Sequence, residues 1–323
     1  MNKYIGHDSQ LYGIEEHRLV RGKGDGMTLY EIHNGKGLDL TVSPDRNCDI
    51  TRLRYKGINM SYMSPCGYVA PAYYDNQGTN WLNSFTAGFL TTCGLNGVGT
   101  PCVDEGEEVP LHGSIANTPC DTSYFMEENG VLKVKSITKD ETIFGRKLRL
   151  EREISISTTD NSFVISDTIT NTGDRVEPFE ILYHMNLGYP LLDEECKIDI
   201  PSSQVIPRDE HAGNDIDNWM NIEPPTEGYQ EKCYYHKFEQ NRNEATTVSI
   251  YQPKLDTKLS ISFDANNLDG FVQWKMMGIR DYVLGMECGN CYADGRAVMR
   301  KTGMLKFLNP GDSVSYKVCV SLV

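Results

Sequence analysis

The sequence predicts an all-β protein, a large antiparallel β-sandwich, and three observations support this class. Apolar and polar residues alternate with a period of two wherever the pattern is clear. Strand patterns recur at short spacing from Gly37 to the end of the chain. No segment keeps a helical apolar stripe over several turns with caps at both ends. Together these patterns favour a sandwich of many antiparallel strands.

The clearest alternation runs from Lys147 to Ser157, where Arg152 interrupts the apolar face of the predicted strand. The Thr-Thr-Asp-Asn turn that follows predicts a hairpin whose second strand ends at Asn171. Further strands are predicted at 258–263 and at 313–322, the latter after an Asn-Pro-Gly-Asp turn. Each of these strands has one apolar face, as expected when one side of a sheet covers a core.

The 323 residues are interpreted as a single domain, 1–323, with 1–36 as its N-terminal lead-in. β-rich architectures often reach this length as one unit. The stretch 207–230 is rich in Pro, Asp and Asn, and we expect a long surface excursion there, not a linker between domains.

Composition argues against several partners. A formal net charge of −14 would repel nucleic acid and anionic membranes, and no run of Lys and Arg provides a local exception. The N-terminal stretch MNKYIGHDSQ has no apolar signal region, and no window approaches a membrane span. We therefore expect a soluble cytoplasmic protein.

Ten cysteines make up only a small share of the chain, and we expect reduced, mostly structural thiols. Cys288 and Cys291 form a C-x-x-C pair, the spacing of a redox dithiol or half a zinc site. No second C-x-x-C or His pair lies nearby, so the structural interpretation is preferred and no metal is expected.

Three segments carry candidate chemistry. His112 lies in a short loop just after a glycine-rich stretch, 88–99, where the backbone can approach a ligand closely. On the predicted strand 180–187, His184 and Asn186 share one face. Glu287 follows Gly285 on one strand face, which leaves an open place beside the carboxylate. Each residue also has a structural alternative: a turn-stabilising or hydrogen-bonded histidine, and an exposed glutamate.

The segments GLDLTVSPDRNCDI, GFLTTCGLNGVGTP, LHGSIANTP, YHMNLGYPLL and YVLGMECGN resemble the galactose mutarotase-like superfamily, in particular a bacterial aldose 1-epimerase-like branch. The resemblance runs from about Gly37 to the C-terminus. It implies a large antiparallel sandwich, in agreement with the alternation, and a monosaccharide as the ligand. It also implies interconversion of the α and β anomers of a free aldose without a cofactor.

The resemblance further implies roles for single residues. His184 matches the general acid that protonates the sugar ring oxygen, Glu287 the base that takes the anomeric proton, and His112 a second histidine that polarises the sugar. Opening a hemiacetal requires one proton added and one removed, which suits such groups. Asp209 is the candidate for the aspartate that the broader superfamily uses on sugar hydroxyls. Further hydrogen bonds to the sugar are expected from Arg46, Asp49 and Lys275, with a structural ion pair or a solvated face as the alternative. Trp81 and Trp274 are candidates for stacking on a pyranose, with buried packing as the alternative.

Two rival functions stay open at this stage. One is a non-catalytic carbohydrate-binding or sensing protein on the same sandwich, because one fold hosts several functions. The other is a related sugar isomerase that uses the open-chain aldehyde. The sequence leaves the identity of the sugar, its phosphorylation and the oligomeric state open.

Overall fold

A computed structural model describes residues 3–239 and 244–323, which form two short α-helices and a series of β-strands. The helices are α1 (Glu210–Gly213) and α2 (Arg296–Thr302). The strands are β1 Gly13–Arg18, β2 Thr28–His33, β3 Leu38–Ser43, β4 Asp49–Tyr55, β5 Ile58–Asn59, β6 Tyr62–Met63, β7 Ala87–Gly88, β8 Leu90–Leu95, β9 Cys102–Asp104, β10 Glu107–Val109, β11 Thr122–Glu128, β12 Val131–Glu141, β13 Lys147–Ser157, β14 Ser162–Asn171, β15 Glu177–Leu187, β16 Lys197–Asp199, β17 Gln204–Pro207, β18 Lys232–Lys237, β19 Thr246–Gln252, β20 Thr257–Phe263, β21 Gly270–Met277, β22 Tyr282–Gly289, β23 Lys306–Leu308 and β24 Ser313–Leu322.

These strands form three large antiparallel sheets within the described residues. The first sheet has the order β1-β2-β3-β4-β5, and the second has the order β11-β12-β13-β14-β24-β20-β19-β16. The third sheet has the order β17-β18-β21-β22-β15-β23, with β8 also paired to β15. Two small ladders, β9 with β10 and β6 with β7, complete the architecture. The predicted all-β antiparallel sandwich is confirmed.

The predicted strand boundaries agree closely with the structure. The hairpin predicted after Lys147 is β13 and β14, whose residues pair from Leu148 opposite Asn171 to Ile156 opposite Phe163. Along β13 the even-numbered side chains are buried and the odd-numbered ones are half-buried. The period-two pattern therefore correctly predicted which face of the sheet covers the core.

Side chains from all three large sheets share one hydrophobic core. Strand β15 is central to it, because both of its faces are buried. The odd-numbered residues Ile181, Tyr183 and Met185 join the sandwich core. On the opposite face, Leu182 joins a smaller cluster that includes Trp81 and lies where the candidate site is built. Because side chains alternate across a strand, β15 connects the core to the site.

Arg152, which interrupted the apolar pattern of β13, is buried at the junction of the sheets. Its guanidinium donates to both carboxylate oxygens of Asp167 on β14, at 2.9 and 2.7 Å. It also donates to Asp49 Oδ1 on β4 at 2.9 Å and to Thr92 Oγ1 on β8 at 2.9 Å. A bond of 3.1 Å to the Asn47 carbonyl satisfies its last N–H group. A buried charge is tolerated when every donor is matched in this way.

The stretch 207–230 contains α1 and packs back on the sandwich, because Ile222 belongs to the main hydrophobic core and Trp219 packs against it. Ion pairs join it to the third sheet. Lys232 Nζ lies 2.5 Å from Asp215 and 2.9 Å from Glu223, and Lys275 Nζ lies 3.0 Å from Glu223. Among the described residues, no helix has the length and apolar character needed to cross a bilayer.

We expect Arg152→Ala to lower the free energy of unfolding by roughly 3–5 kcal/mol, because it leaves the carboxylates of Asp167 and Asp49 buried without their cation. Arg149→Ala is the matched control: Arg149 lies on the same strand but in a half-exposed ion pair with Glu151, and its loss should cost less than about 1 kcal/mol. Urea unfolding measures both. Equal losses for the two variants would contradict the role given to Arg152.

Candidate active site

Two of the predicted residues meet on neighbouring strands of the third sheet. Antiparallel pairing sets Tyr183 on β15 opposite Cys288 on β22, so His184, the residue after Tyr183, lies opposite Glu287, the residue before Cys288. His184 Nε2 lies 3.3 Å from Glu287 Oε1, and both side chains are buried. The geometry is not aligned for a hydrogen bond, and Glu287 Oε1 and His184 Nδ1 have no hydrogen-bond partner among the described residues.

His112 reaches the same place from the loop between β10 and β11. Its backbone N–H donates to Gly99 O at 3.0 Å, and its carbonyl accepts from Gly94 N–H at 3.0 Å. The Gly99 N–H points at His112 Nδ1 at 3.4 Å, so a neutral ring carries its hydrogen on Nε2. The rings of His112 and His184 lie 5.6 Å apart, edge to face. The structure therefore brings the three predicted residues together.

Glycine is required where the His112 loop meets its neighbours. A Cβ at Gly99, whose φ is +80°, would lie 2.0 Å from the Ala293 carbonyl oxygen. The glycine-rich stretch is also held by Glu180, whose Oε2 accepts a hydrogen bond from Val98 N–H at 2.8 Å. Burial raises the pKa of Glu180 to about 7. The glycine-rich stretch is thus tightly packed, and its backbone hydrogen bonds hold His112 in place.

A cavity of about 330 Å³ opens above these groups, a volume in the range of small-molecule sites. Trp81, Phe85 and Trp274 contribute its aromatic walls. Trp81 is fully buried, stacked on Phe85 at 4.7 Å, and its ring lies 4.9 Å from that of His112. Trp274 is half-buried, and its ring lies 5.3 Å from that of His184. Buried packing thus describes Trp81, while Trp274 keeps a surface toward the cavity.

Gly285 leaves room for the carboxyl group of Glu287 itself. A Cβ at Gly285 would lie 2.2 Å from Glu287 Oε1 and 3.0 Å from Trp274 Cβ. The sequence predicted an open place beside the carboxylate, and the structure shows that this carboxylate fills it. The position of Glu287 therefore depends on the missing side chain two residues earlier.

Two charged residues that line the cavity, Arg208 and Glu231, were not predicted as site residues from the sequence. Arg208 Nη2 donates to Thr100 Oγ1 at 3.2 Å, and its Nη1 lies 3.7 Å from Glu231 Oε1. Glu231 Oε2 accepts from Trp274 Nε1 at 2.8 Å and so holds the indole in place. Neither residue lies in a recognised motif, and their positions follow from long-range pairing of β17 with β18 and of β18 with β21.

Burial disfavours the charged forms of the central pair, His184 and Glu287. It lowers the pKa of His184 well below its usual value, and the neighbouring His112 adds to this effect. Burial raises the pKa of Glu287 well above its usual value, which Glu231 increases and Arg208 opposes. Burial also lowers the pKa of His112 to about 4, with a further contribution from Arg208. The setting therefore disfavours charge on Glu287, His184 and His112 alike.

Two residues predicted to bind sugar lie instead in the sandwich interior. Arg46 is buried and donates through Nη1 to the Val69 carbonyl at 2.9 Å. Asp49 is buried in the Arg152 network, where it also accepts from Thr92 N–H at 2.8 Å. Neither lines the cavity formed by the described residues. The alternative of a structural ion pair describes Asp49, whereas Arg46 is buried and bonds to a backbone carbonyl.

The other two predicted sugar contacts also lie outside the cavity. Asp209 caps α1, because its Oδ1 accepts from Ala212 N–H at 2.8 Å. Lys275 is fully buried, pairs with Glu223 and donates to the Asn218 carbonyl at 3.3 Å. Both belong to the attachment of the 207–230 excursion. Their predicted place beside a sugar is corrected by these contacts.

The C-x-x-C pair lies in the protein interior. Cys288 and Cys291 are fully buried, and all ten cysteines, each within the described part of the chain, carry free thiols. Across residues 3–239 and 244–323, no three His, Cys, Asp or Glu side chains are grouped so that they could hold a metal ion.

The fold is the galactose mutarotase-like sandwich expected from the sequence. A protein from Klebsiella pneumoniae, provisionally named aldose 1-epimerase, has a similar structure with a TM-score of 0.91 and 28% identity, over 96% of this chain and 83% of that one. A family described as a domain of unknown function, DUF4432, matches residues 24–322. The chain belongs to this family.

More distant solved structures share the fold alone. A galactose mutarotase-like protein from Clostridium acetobutylicum has a TM-score of 0.67 at 13% identity, over 97% of this chain and 99% of that one. A galactose 1-epimerase from Lactobacillus acidophilus has a TM-score of 0.61 at 12% identity, with the same coverage. A comparison with functionally curated proteins gave no significant match.

We expect His112 to stay neutral down to acidic pH and to titrate at about pH 4, because the surrounding protein and Arg208 disfavour its charged form. A free histidine titrates near 6.5, so the difference is large. Carbon and nitrogen chemical shifts of the His112 ring, followed by NMR from pH 8 to 4, measure this. A midpoint for His112 at the value of a free histidine would contradict the described burial.

Proposed function

We propose that this protein is an aldose 1-epimerase-like enzyme, a mutarotase that interconverts the α and β anomers of a free aldose by general acid–base catalysis. The observation that carries the proposal is the contact between His184 and Glu287 inside a cavity of monosaccharide size, with His112 beside them. Residues from motifs that are far apart in the sequence would thus supply an acid, a base and a hydrogen-bond donor to the same cavity.

The proton inventory of the pair matches the chemistry. Ring opening adds a proton to the ring oxygen, removes one from the anomeric hydroxyl and breaks the bond between the anomeric carbon and the ring oxygen. Rotation about the next carbon–carbon bond and reclosure then give the other anomer. In the roles that the family resemblance implies, His184 donates and Glu287 accepts. This state has a proton on His184 and none on Glu287, and a small side-chain rotation would align the two groups, 3.3 Å apart, for that transfer.

His112 and the cavity walls have supporting roles in this proposal. The Nε2–H of neutral His112 donates a hydrogen bond to a sugar oxygen and polarises it without adding charge. Trp274, held by Glu231, offers a flat apolar surface to the carbon–hydrogen face of a pyranose. Arg208 and Glu231 at the cavity supply a donor and an acceptor for further hydroxyl groups.

The main rival is a carbohydrate-binding or sensing protein that does no chemistry. Simple binding does not need a carboxyl group and an imidazole in contact and held uncharged, so the geometry favours the enzyme. The assay described next separates the two functions, because a sensor binds sugars without accelerating anomer exchange. A sugar isomerase would change the constitution of the product, which the same spectra report.

Exchange NMR with a panel of aldoses should show anomers equilibrating faster with the protein than in buffer. His184→Ala and Glu287→Gln should each lower kcat/KM by about 10²–10⁴-fold, because each removes one proton-transfer group. His236→Asn is the matched control: His236 is equally buried but bonds to Ser202 and Gln273, outside the cavity. Full activity in the two site variants would contradict the proposal. So would a panel in which no aldose exchanges its anomers faster with the protein than in buffer.

Gly285→Ala should lower kcat with the fold intact, because the new methyl group displaces the Glu287 carboxyl group from beside His184. A misplacement of about 1 Å can cost roughly 10²-fold in rate. Gly6→Ala is the control, since a Cβ there would meet its nearest neighbour at an ordinary 3.7 Å. Circular dichroism monitors the fold of both variants. Unchanged kcat in a folded Gly285→Ala variant would contradict the positioning of Glu287.

A further inference from the structure

Two thiols meet away from the candidate active site. Cys48 lies in the turn between Arg46 and β4 and is fully buried, whereas Cys120 lies in the loop before β11 and is half-buried. Their Sγ atoms are 3.7 Å apart and share a hydrogen bond. The two residues are 72 positions apart in the sequence, so the contact is produced by the fold.

Backbone hydrogen bonds hold the two segments together on both sides of the thiols. Asn47 N–H donates to the Thr118 carbonyl at 3.0 Å, and Cys120 N–H donates to the Pro44 carbonyl at 2.9 Å. A disulfide has sulfur atoms about 2.05 Å apart, so the sulfurs must approach by less than about 2 Å. Side-chain rotation can supply a movement of this size while the backbone stays fixed.

The surroundings favour the thiolate on Cys120, the more accessible of the two. Thr138 Oγ1 donates to Cys120 Sγ at 3.3 Å. The hydrogen bond with Cys48 lowers the pKa of Cys120 in spite of its burial, and Thr138 and the positive charge of Arg152 act in the same direction. The same contact and burial raise the pKa of Cys48. Its greater accessibility makes Cys120 the nucleophile of the pair, and Cys48 is its buried partner.

We propose that Cys48 and Cys120 form a reversible disulfide when the protein meets a hydroperoxide. The Cys120 thiolate attacks one peroxide oxygen, which gives a sulfenic acid, and the oxygen–oxygen bond breaks to release water after protonation. The Cys48 thiol then attacks the Cys120 sulfur, and the sulfenic hydroxyl leaves as a second water. Two thiols and one hydrogen peroxide give one disulfide and two waters. A dithiol reductant reverses the process by exchange.

The crosslink would lie beside the Arg152 network. Arg152 binds the carbonyl of Asn47 and the carboxylate of Asp49, the two neighbours of Cys48. The disulfide would tie this turn covalently to the strand β11 and close a long loop, which restricts the unfolded chain. Oxidation should therefore raise the thermal midpoint, in contrast to oxidation of an unpaired thiol.

The test treats the intact wild-type protein with a small excess of hydrogen peroxide, quenches with an alkylating reagent and maps disulfides by mass spectrometry. We expect a crosslinked peptide pair that contains Cys48 and Cys120, a loss of about 2 Da per molecule, and full return with dithiothreitol. A 48–120 crosslink that forms before oxidation at any other cysteine supports the proposal. First oxidation elsewhere, or a different disulfide, overturns it.

Variants separate the two roles. Cys48→Ser should leave Cys120 as a sulfenic acid that dimedone labels, because the resolving thiol is missing. Cys120→Ser should leave Cys48 unmodified under the same treatment, because Cys48 is buried. Cys319→Ser removes another half-buried thiol as the control and should still form the crosslink. If dimedone labels Cys48 in the Cys120→Ser variant, Cys48 is the thiol that reacts with peroxide, and the proposed roles of the two cysteines are overturned. None of these readouts depends on sugar chemistry.

Discussion

The buried guanidinium of Arg152 is the interaction on which the three-sheet arrangement depends. Its bonds reach β4 of the first sheet, β14 of the second and β8 beside the third. Tyr183 on β15 donates its hydroxyl hydrogen to the same Asp167 carboxylate at 2.9 Å. Because the next residue on β15 is His184, the network that joins the sheets also fixes the strand that carries the proposed acid.

The site is a consequence of strand alternation on a sheet buried on both sides. On β15 and β22, one set of alternate residues fills the sandwich core, and the other set contains His184 and Glu287, which line the cavity. Neighbouring strands lie about 4.8 Å apart, so side chains opposite one another meet directly. His184 and Glu287 are such a pair, and the gap at Gly285 makes room for the carboxyl group between the strands.

The same alternation explains what sequence could and could not predict. It predicted β13, β14 and β24 and the shared face of Gly285 and Glu287, and family motifs pointed to the three residues that meet. Strand alternation could also have excluded Lys275 as a sugar contact, because adjacent residues on a strand point to opposite faces and its neighbour Trp274 faces the cavity. Arg46 and Asp209 lie in a turn and a helix cap, where local hydrogen bonds set direction. Arg208 and Glu231 depend on strand pairing that no local pattern reveals.

The apolar setting of the pair gives its chemistry a physical basis. Burial in the partly aromatic cavity disfavours the charged forms of both Glu287 and His184. His184 Nδ1 and Glu287 Oε1 are buried without hydrogen-bond partners among the described residues, a cost that folding normally avoids. Hydroxyl groups of a bound sugar would supply such partners and favour the charged pair. Ligand binding would then itself prepare the acid and the base, as catalysis requires.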